Sequence, residues 1–276
     1  MDWATLIGYW PFVLGLMVTG VLSGIAAGLL GIGGGAIIVP ALSTALLWLG
    51  YDSDVVQHVA VGTSLAIIIP TGFMSARAHY RRGSLDLKAL RLWTPFIVAG
   101  TFIGGLMAGL FSGDVLRVVF AVMAFIIAAN IVFGFQTRLM GHLNGSSLTH
   151  RISAFVVGYI SSLMGTGGGS LTVPTLVAFG ATMHSAVGTS AAIGVAIAFS
   201  GTLGFIISGW SVAGLPPLSL GYINLVALVL VAVLAALFAP VGAALAHKLD
   251  QKTLKYVFAA FLVVVGLNML WKVLAG

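Results

Sequence analysis

The chain contains no cysteine and no glutamate, and its acidic residues are six aspartates at positions 2, 52, 54, 86, 114 and 250. The first absence excludes disulfides, thiolate nucleophiles and cysteine-ligated metals, and it leaves the redox compartment open because no thiol is present to report it. The second, with every aspartate in a joint or near an end, excludes a carboxylate relay inside the apolar segments. Charge of either sign is scarce: 7% of the 276 residues are charged against 60% apolar, whereas a soluble domain averages about a quarter charged. A water-exposed surface cannot be built from that composition. The net charge of +6 could suggest a nucleic-acid partner, but the basic residues sit at the ends of apolar runs, where membrane topology accounts for them.

What is present is a series of apolar runs long enough to cross a hydrocarbon layer, which takes roughly 20 helical residues. A membrane β-barrel needs short alternating segments, and runs such as Val115 to Phe135 and Ile223 to Ala246 do not alternate. The expected fold is all-α, a single polytopic membrane domain over residues 1–276. Met1 and Asp2 lead directly into Trp3 with no basic segment, so the apolar N-terminus is expected to stay in the mature protein rather than serve as a cleaved signal.

Comparing the chain with itself reveals a duplication. Gly24, Gly31, Gly33, Gly34, Gly35 and Pro40 recur as Gly158, Gly165, Gly167, Gly168, Gly169 and Pro174, each 134 residues on. His58, Ala60, Val61, Gly62, Thr63 and Ser64 return as His184, Ala186, Val187, Gly188, Thr189 and Ser190 at a spacing of 126, so the first half carries eight extra residues near Leu46 to Asp54. Gly104, Leu116, Phe120 and Asn130 match Gly242, Leu254, Phe258 and Asn268 at a spacing of 138. Single glycine matches also arise from helix packing; three blocks in one order point to two related halves, about 1–136 and 152–276, joined at 137–151. Repeats in carriers lie about the binding site, which makes the matched blocks the candidate functional centre.

Arg77, Arg81, Arg82, Lys88 and Arg91 mark one joint, Arg138 and Arg151 a second, and Lys248, Lys252 and Lys255 a third. Placing these joints in the cytoplasm leaves Arg117 and Lys272 outside with Asp2, Asp52, Asp54 and Asp114, and puts both termini outside a cell inner membrane. The two halves are then inverted. Between Arg151 and Gly165, and again between Leu171 and Phe179, too few apolar residues lie for full spans at 1.5 Å per residue. Each half is therefore expected to hold a glycine-tipped re-entrant or broken-helix hairpin plus three spanning helices, although Tyr9 to Leu30 is long enough to cross.

A run of three glycines removes every side chain and exposes backbone N–H groups, and a helix starting there adds a partial positive charge. Gly33, Gly34 and Gly35, with Gly167, Gly168 and Gly169, thus make two anion cradles. Thr63, Ser64, Thr189 and Ser190 offer hydroxyl donors suited to a small oxyanion, although such residues also glue helices together. Thr166 and Ser170 flank only the second tip. His58 and His184 are candidates for gating or proton coupling because histidine titrates near neutrality, and Arg77 could collect anions at the cytoplasmic end. Asn130 and Asn268 suit bonds between helices.

The doubled pattern, GLLGIGGGAIIVP at 28–40 and GTGGGSLTVP at 165–174, each followed by His-x-Ala-Val-Gly-Thr-Ser, resembles the TauE/SafE family of sulfite and sulfonate transporters over nearly the full length. That resemblance implies export of sulfite or an organosulfonate such as sulfoacetate, with no cofactor. The residues by themselves imply a secondary carrier for a small anion in the lipid bilayer, with no nucleic acid, and their glycine faces are compatible with a homo-oligomer. Two alternatives share the same features. A fixed-pore anion or small-solute channel uses similar paired tips, and an intramembrane serine hydrolase would use Ser170 with His184.

Overall fold

Inside a lipid-like interior the backbone must satisfy its own hydrogen bonds, and each long apolar run accordingly folds as a helix. The computed structural model describes residues 3–30, 33–134, 147–246 and 251–275. Helix α1 is Trp3–Leu30, α2 Gly35–Trp48, α3 Ser53–Arg81, α4 Leu87–Ala108 and α5 Gly113–Phe133. Then follow α6 Ser147–Met164, α7 Gly169–Ala178, α8 Met183–Ser208, a hairpin of β1 Ser219–Leu220 and β2 Ile223–Asn224, α9 Leu225–Ala246 and α10 Gln251–Ala275. Among the described residues, seven helices are long and apolar enough to span a membrane: α1 through Trp10–Gly28, then α3, α4, α5, α8, α9 and α10.

The remaining helices are short. The 10 residues of α7 reach only about 15 Å, half a hydrocarbon layer, and α2 has 14. The two hairpins, α1–α2 and α6–α7, are unequal: α1 has 28 residues and α6 has 18. The eight extra residues of the first half lengthen helices rather than a loop. Four lie in α2 relative to α7 (14 against 10), and four in α3, which begins five residues before His58 while α8 begins one before His184. Helix α6 starts at Ser147, so the last five residues of the expected joint 137–151 are helical; Arg138 and Lys248 lie outside the described residues.

Five helix starts have a side-chain acceptor for their unpaired first N–H groups, as the termini require. Asp52 caps α3, Asp86 caps α4, Ser112 caps α5 and Thr182 caps α8, while Asn224 Oδ1 accepts from Ala227 N at 2.9 Å to cap α9. Helices α2 and α7 differ. Each is preceded by a left-handed glycine, Gly34 at φ +74° and Gly168 at φ +81°, with no side-chain cap.

Equivalent contacts recur in the two halves. Helix α1 packs on α9, and α6 packs on α4. A Cβ at Gly24 would lie 2.5 Å from Ala235 O, and one at Gly158 would strike Ile97 O, the counterpart of that carbonyl. Likewise Gly242 abuts Ile25 and Gly104 abuts Tyr159. Helices α3 and α8 pack together at the centre and run antiparallel: Gly62, near the start of α3, meets Phe205 near the end of α8, while Gly188, near the start of α8, meets Ser84 just beyond α3. Every residue of α3 from Val56 to Ile68 is buried, so this helix has no outward face over nearly four turns.

Polar groups gather at the helix ends. Arg117, assigned to the outer side by the charge pattern, is wholly buried at the start of α5. Its Nη1 donates to Asp114 Oδ1 and to Ser53 Oγ, both at 2.6 Å, and Nη2 donates to Ser53 O at 2.6 Å. Close by, Gly113 N donates to Asp54 Oδ1 at 2.9 Å, which ties the starts of α3 and α5 together. The buried guanidinium is held by partners, and its role is to fasten helices.

The glycine contacts give a direct test. Valine at Gly158 would force α4 and α6 apart against backbone atoms, an overpacking cost of about 1–3 kcal/mol or more. Gly158→Val and Gly24→Val should both lose the monodisperse peak in detergent size-exclusion chromatography. Gly15→Val, where a Cβ meets nothing within 4 Å, should elute as the unaltered protein does.

Candidate functional site

The two glycine tips meet. A Cβ on Gly35 would strike Gly165 O and stand 3.0 Å from Thr166 Cα, and one on Gly33 would stand 3.6 Å from Gly167 Cα. The contact falls at mid-depth. Ile68, which touches the Cβ positions of Gly33, Gly35 and Gly167, is the sixteenth residue of the 29-residue α3. Gly194, whose Cβ position meets Gly167 O, is the twelfth of the 26 residues in α8. Tips thus join halfway along the two central helices, where a membrane-spanning chain is farthest from water.

The local conformation leaves donors unpaired. In α7 the first intrahelical bonds are made by Leu171 N and Thr172 N, both to Gly168 O, so the N–H groups of Gly169 and Ser170 have no acceptor within the helix. In α2 the corresponding bonds come from Ile37 N and Ile38 N to Gly34 O, which leaves Gly35 and Ala36 in the same condition. Positive φ at Gly33, Gly34, Gly165 and Gly168 explains why these positions are glycine. A valine at Gly34 or Gly168 would be strained whatever space surrounds it, and would also meet Ser23 O at 3.0 Å or the Ile197 side chain.

Ser64 and Ser190 lie on the helix faces turned to the tips, and they differ. Ser64 Oγ donates to Gly165 O at 2.8 Å, joining α3 of one half to the tip of the other. Ser190 Oγ is buried without a partner. It precedes Gly194 by one turn and Ile197 by two, and those residues rest on Gly167 and Gly168 respectively. The neighbouring threonines face elsewhere. Thr63 Oγ1 accepts from Asn224 N and Thr189 Oγ1 accepts from Asp86 N, each at 2.9 Å. Those are equivalent bonds in the two halves, and they anchor the turns that lead into α9 and α4. Thr63 and Thr189, expected to face the anion with their serine neighbours, therefore point to these turns and away from the tips.

Thr166 and Ser170, expected beside the second tip, are there. Both are buried, and neither hydroxyl oxygen has a partner. The sequence reading missed Thr172, whose unpartnered Oγ1 lies 3.0 Å from a Cβ position on Gly168. It also missed Ser161 and Ser162, buried and unpartnered at the end of α6. The available signal was hydroxyl density, because Ser161, Ser162, Thr166, Ser170 and Thr172 correspond at a spacing of 134 to Ala27, Gly28, Ile32, Ala36 and Ile38.

The histidines and Arg77 are not at the tips. His58 is buried near the start of α3, with Nδ1 2.6 Å from Asp54 O and Nε2 2.9 Å from Ala108 O, and its ring stacks on Tyr222 at 4.8 Å. His184 is exposed at the start of α8, and Arg77 is exposed near the end of α3. With Ser170 unbonded and His184 exposed, no nucleophile–base pair for the hydrolase reading exists among the described residues, nor does any cluster of three potential metal ligands.

Seven apolar spans among the described residues define a polytopic membrane protein. The chain belongs to the sulfite exporter TauE/SafE family, whose model matches residues 16–269. A probable membrane transporter protein of Haemophilus influenzae is 36% identical over 95% of this chain and 99% of its own length. The probable membrane transporter protein YunE of Bacillus subtilis is 29% identical over 93% and 97%, and one from Methanocaldococcus jannaschii is 24% identical over 92% and 94%. No solved structure matches the chain.

Removing the Ser64 hydroxyl leaves the buried Gly165 carbonyl without that donor, a loss of about 1–2 kcal/mol. Ser64→Ala should therefore melt several degrees below the unaltered protein in differential scanning fluorimetry. An unchanged melting temperature would show that the bond does not hold the tip.

Proposed function

We propose that the chain is a secondary carrier of a small anion, sulfite or an organosulfonate, working by alternating access around the junction of the two tips. The observation that carries this reading is the meeting, halfway along α3 and α8, of two helix starts that lack side-chain caps. Open N–H groups at a helix start favour an anion through hydrogen bonding and through the helix dipole. Because the tips touch and Ile68 lies against both, passage between them requires them to part, which favours a moving carrier over a fixed pore.

Inversion of the halves supplies the motion. Equivalent helices α3 and α8 run antiparallel, and equivalent contacts link α1 to α9 and α6 to α4, so each half embraces part of the other. In this reading the rocking of one half against the other exposes the tips to either side in turn. In this reading the Lys- and Arg-rich α3–α4, α5–α6 and α9–α10 connections lie in the cytoplasm, as basic joints favour, and both termini lie outside the inner membrane. Export follows from the family description and from no feature of the tips. Coupling works through the membrane potential acting on the anion's charge, or through a protonated substrate, since no glutamate exists and His58 is held by backbone carbonyls.

The same charge inventory sets a preference among sulfonates. The described aspartates, Asp52, Asp54, Asp86 and Asp114, lie at helix starts, so the ammonium of an aminosulfonate bound at the tips would find no carboxylate, and an unpaired charge there is costly. In calorimetric titrations of purified protein, sulfite or 2-hydroxyethanesulfonate should bind saturably. 2-Aminoethanesulfonate, of the same length, should bind at least about tenfold more weakly, a difference of 1.4 kcal/mol. In proteoliposomes a carrier exchanges labelled for unlabelled anion; saturable binding without exchange would favour the channel, and no binding of any of these anions would defeat the reading.

A further inference from the structure

The two tips share a backbone plan but not a side-chain lining. Thr166, Ser170 and Thr172 surround the left-handed Gly168 at the start of the ten-residue α7, and all three are at least nine-tenths buried with unpartnered hydroxyl oxygens. In the first half the corresponding residues are Ile32, which lies outside the described residues, Ala36 and Ile38, none of which carries a side-chain donor. The helices crossing the second tip add to the imbalance. Ser190, also wholly buried and unpartnered, stands on the same face of α8 as Gly194 and Ile197, which pack on Gly167 and Gly168. The position of α3 equivalent to Gly194 is Ile68, whose side chain covers Gly33, Gly35 and Gly167.

A buried hydroxyl without a partner costs about 1–3 kcal/mol, and such groups are ordinarily paired. Three of them, Thr166 and Thr172 on the second tip and Ser190 on the face of α8 turned to it, lie beside the open N–H groups of Gly169 and Ser170 and demand acceptors in number. Water could satisfy one or two. An oxyanion headgroup supplies three oxygens with several lone pairs each and carries the charge that the start of α7 favours.

Resting on the carrier reading above, we infer that the oxyanion is bound one-sidedly, by the second tip alone, in a nest formed by the hydroxyls of Thr166, Thr172 and Ser190 with the backbone N–H groups of Gly169 and Ser170. Thr172 and Ser190 are then specificity-determining donors, and the first tip is a lid whose adjacent hydroxyl, Ser23, is already engaged with Gly20 O at 3.1 Å. The headgroup class is a sulfite or sulfonate, whose three oxygens spread over donors on α7 and α8, and a spherical halide uses the nest poorly.

The test is calorimetric titration of the full-length protein with sulfite, and separately with 2-hydroxyethanesulfonate. Thr172→Val and Ser190→Ala should each weaken binding about tenfold or more with little change in melting temperature, and Thr172→Ser should restore most of the loss. Thr175→Val, one turn along the same helix with its hydroxyl bonded to Leu171 O at 2.6 Å, should bind within about threefold of the unaltered protein. Chloride should bind more weakly than either oxyanion to the unaltered protein and should lose less on Thr172→Val. Sulfite or sulfonate binding that is unchanged in both Thr172→Val and Ser190→Ala would overturn the one-sided nest and leave the carrier reading standing. Absence of binding to the unaltered, folded protein would overturn both. Equal losses in Thr172→Val and Thr172→Ser would also overturn the nest, because shape rather than a donated hydrogen bond would then be the cause.

Discussion

A backbone N–H group buried in an apolar interior must be paired, and at two places in this chain the fold leaves such groups open at half depth. The starts of α3, α4, α5, α8 and α9 are closed by Asp52, Asp86, Ser112, Thr182 and Asn224. At Gly34 and Gly168 no side chain closes them. The cost of that exposure is tolerable only where protein or a polar ligand surrounds the irregular backbone. The rest of the molecule can be read as meeting this condition. Antiparallel α3 and α8 bury the tips, α1 with α9 and α4 with α6 clasp the hairpins, and glycines at the contacts let backbones approach closely enough to exclude lipid.

The same constraint connects packing to transport. A pair of tips in contact forms a closed layer, and a ligand that binds the open donors must separate or reorganise them. Because equivalent contacts fasten each hairpin to a helix of the other half, a shift of one hairpin is felt by both halves. The bond from Ser64 to Gly165 ties α3 of one half to the tip of the other, and the residue equivalent to Gly165, Gly31, lies outside the described residues.

Much of this was legible in the sequence. Composition required membrane helices, and the blocks around Gly33 to Gly35 and Gly167 to Gly169 named the tips, because only glycine supplies the left-handed turns and close approaches found there. Which face a residue presents was harder to read. Consecutive residues on a helix point about 100° apart, so Thr63 and Ser64 diverge, one to the turn before α9 and the other to Gly165. Ordinarily a polar face would phase the helix, but α3 is buried all round from Val56 to Ile68, which erases that signal. Arg117 was read as a topological charge because spacing does not tell an exposed cation from one folded onto Ser53 and Asp114. Thr172 was overlooked because comparison of the halves rewards residues that match, and its importance lies in the mismatch with Ile38.

The central claim is that the second glycine tip is the moving anion site, and the absence of cysteine makes it directly accessible to measurement. A single cysteine in place of Ser170 can be modified with a membrane-impermeant thiol reagent from each side of oriented vesicles, with and without 2-hydroxyethanesulfonate. The account predicts modification from both sides, slowed by the sulfonate on each. Modification at a rate indifferent to the sulfonate, or from one side only in vesicles that still exchange the anion, would contradict it.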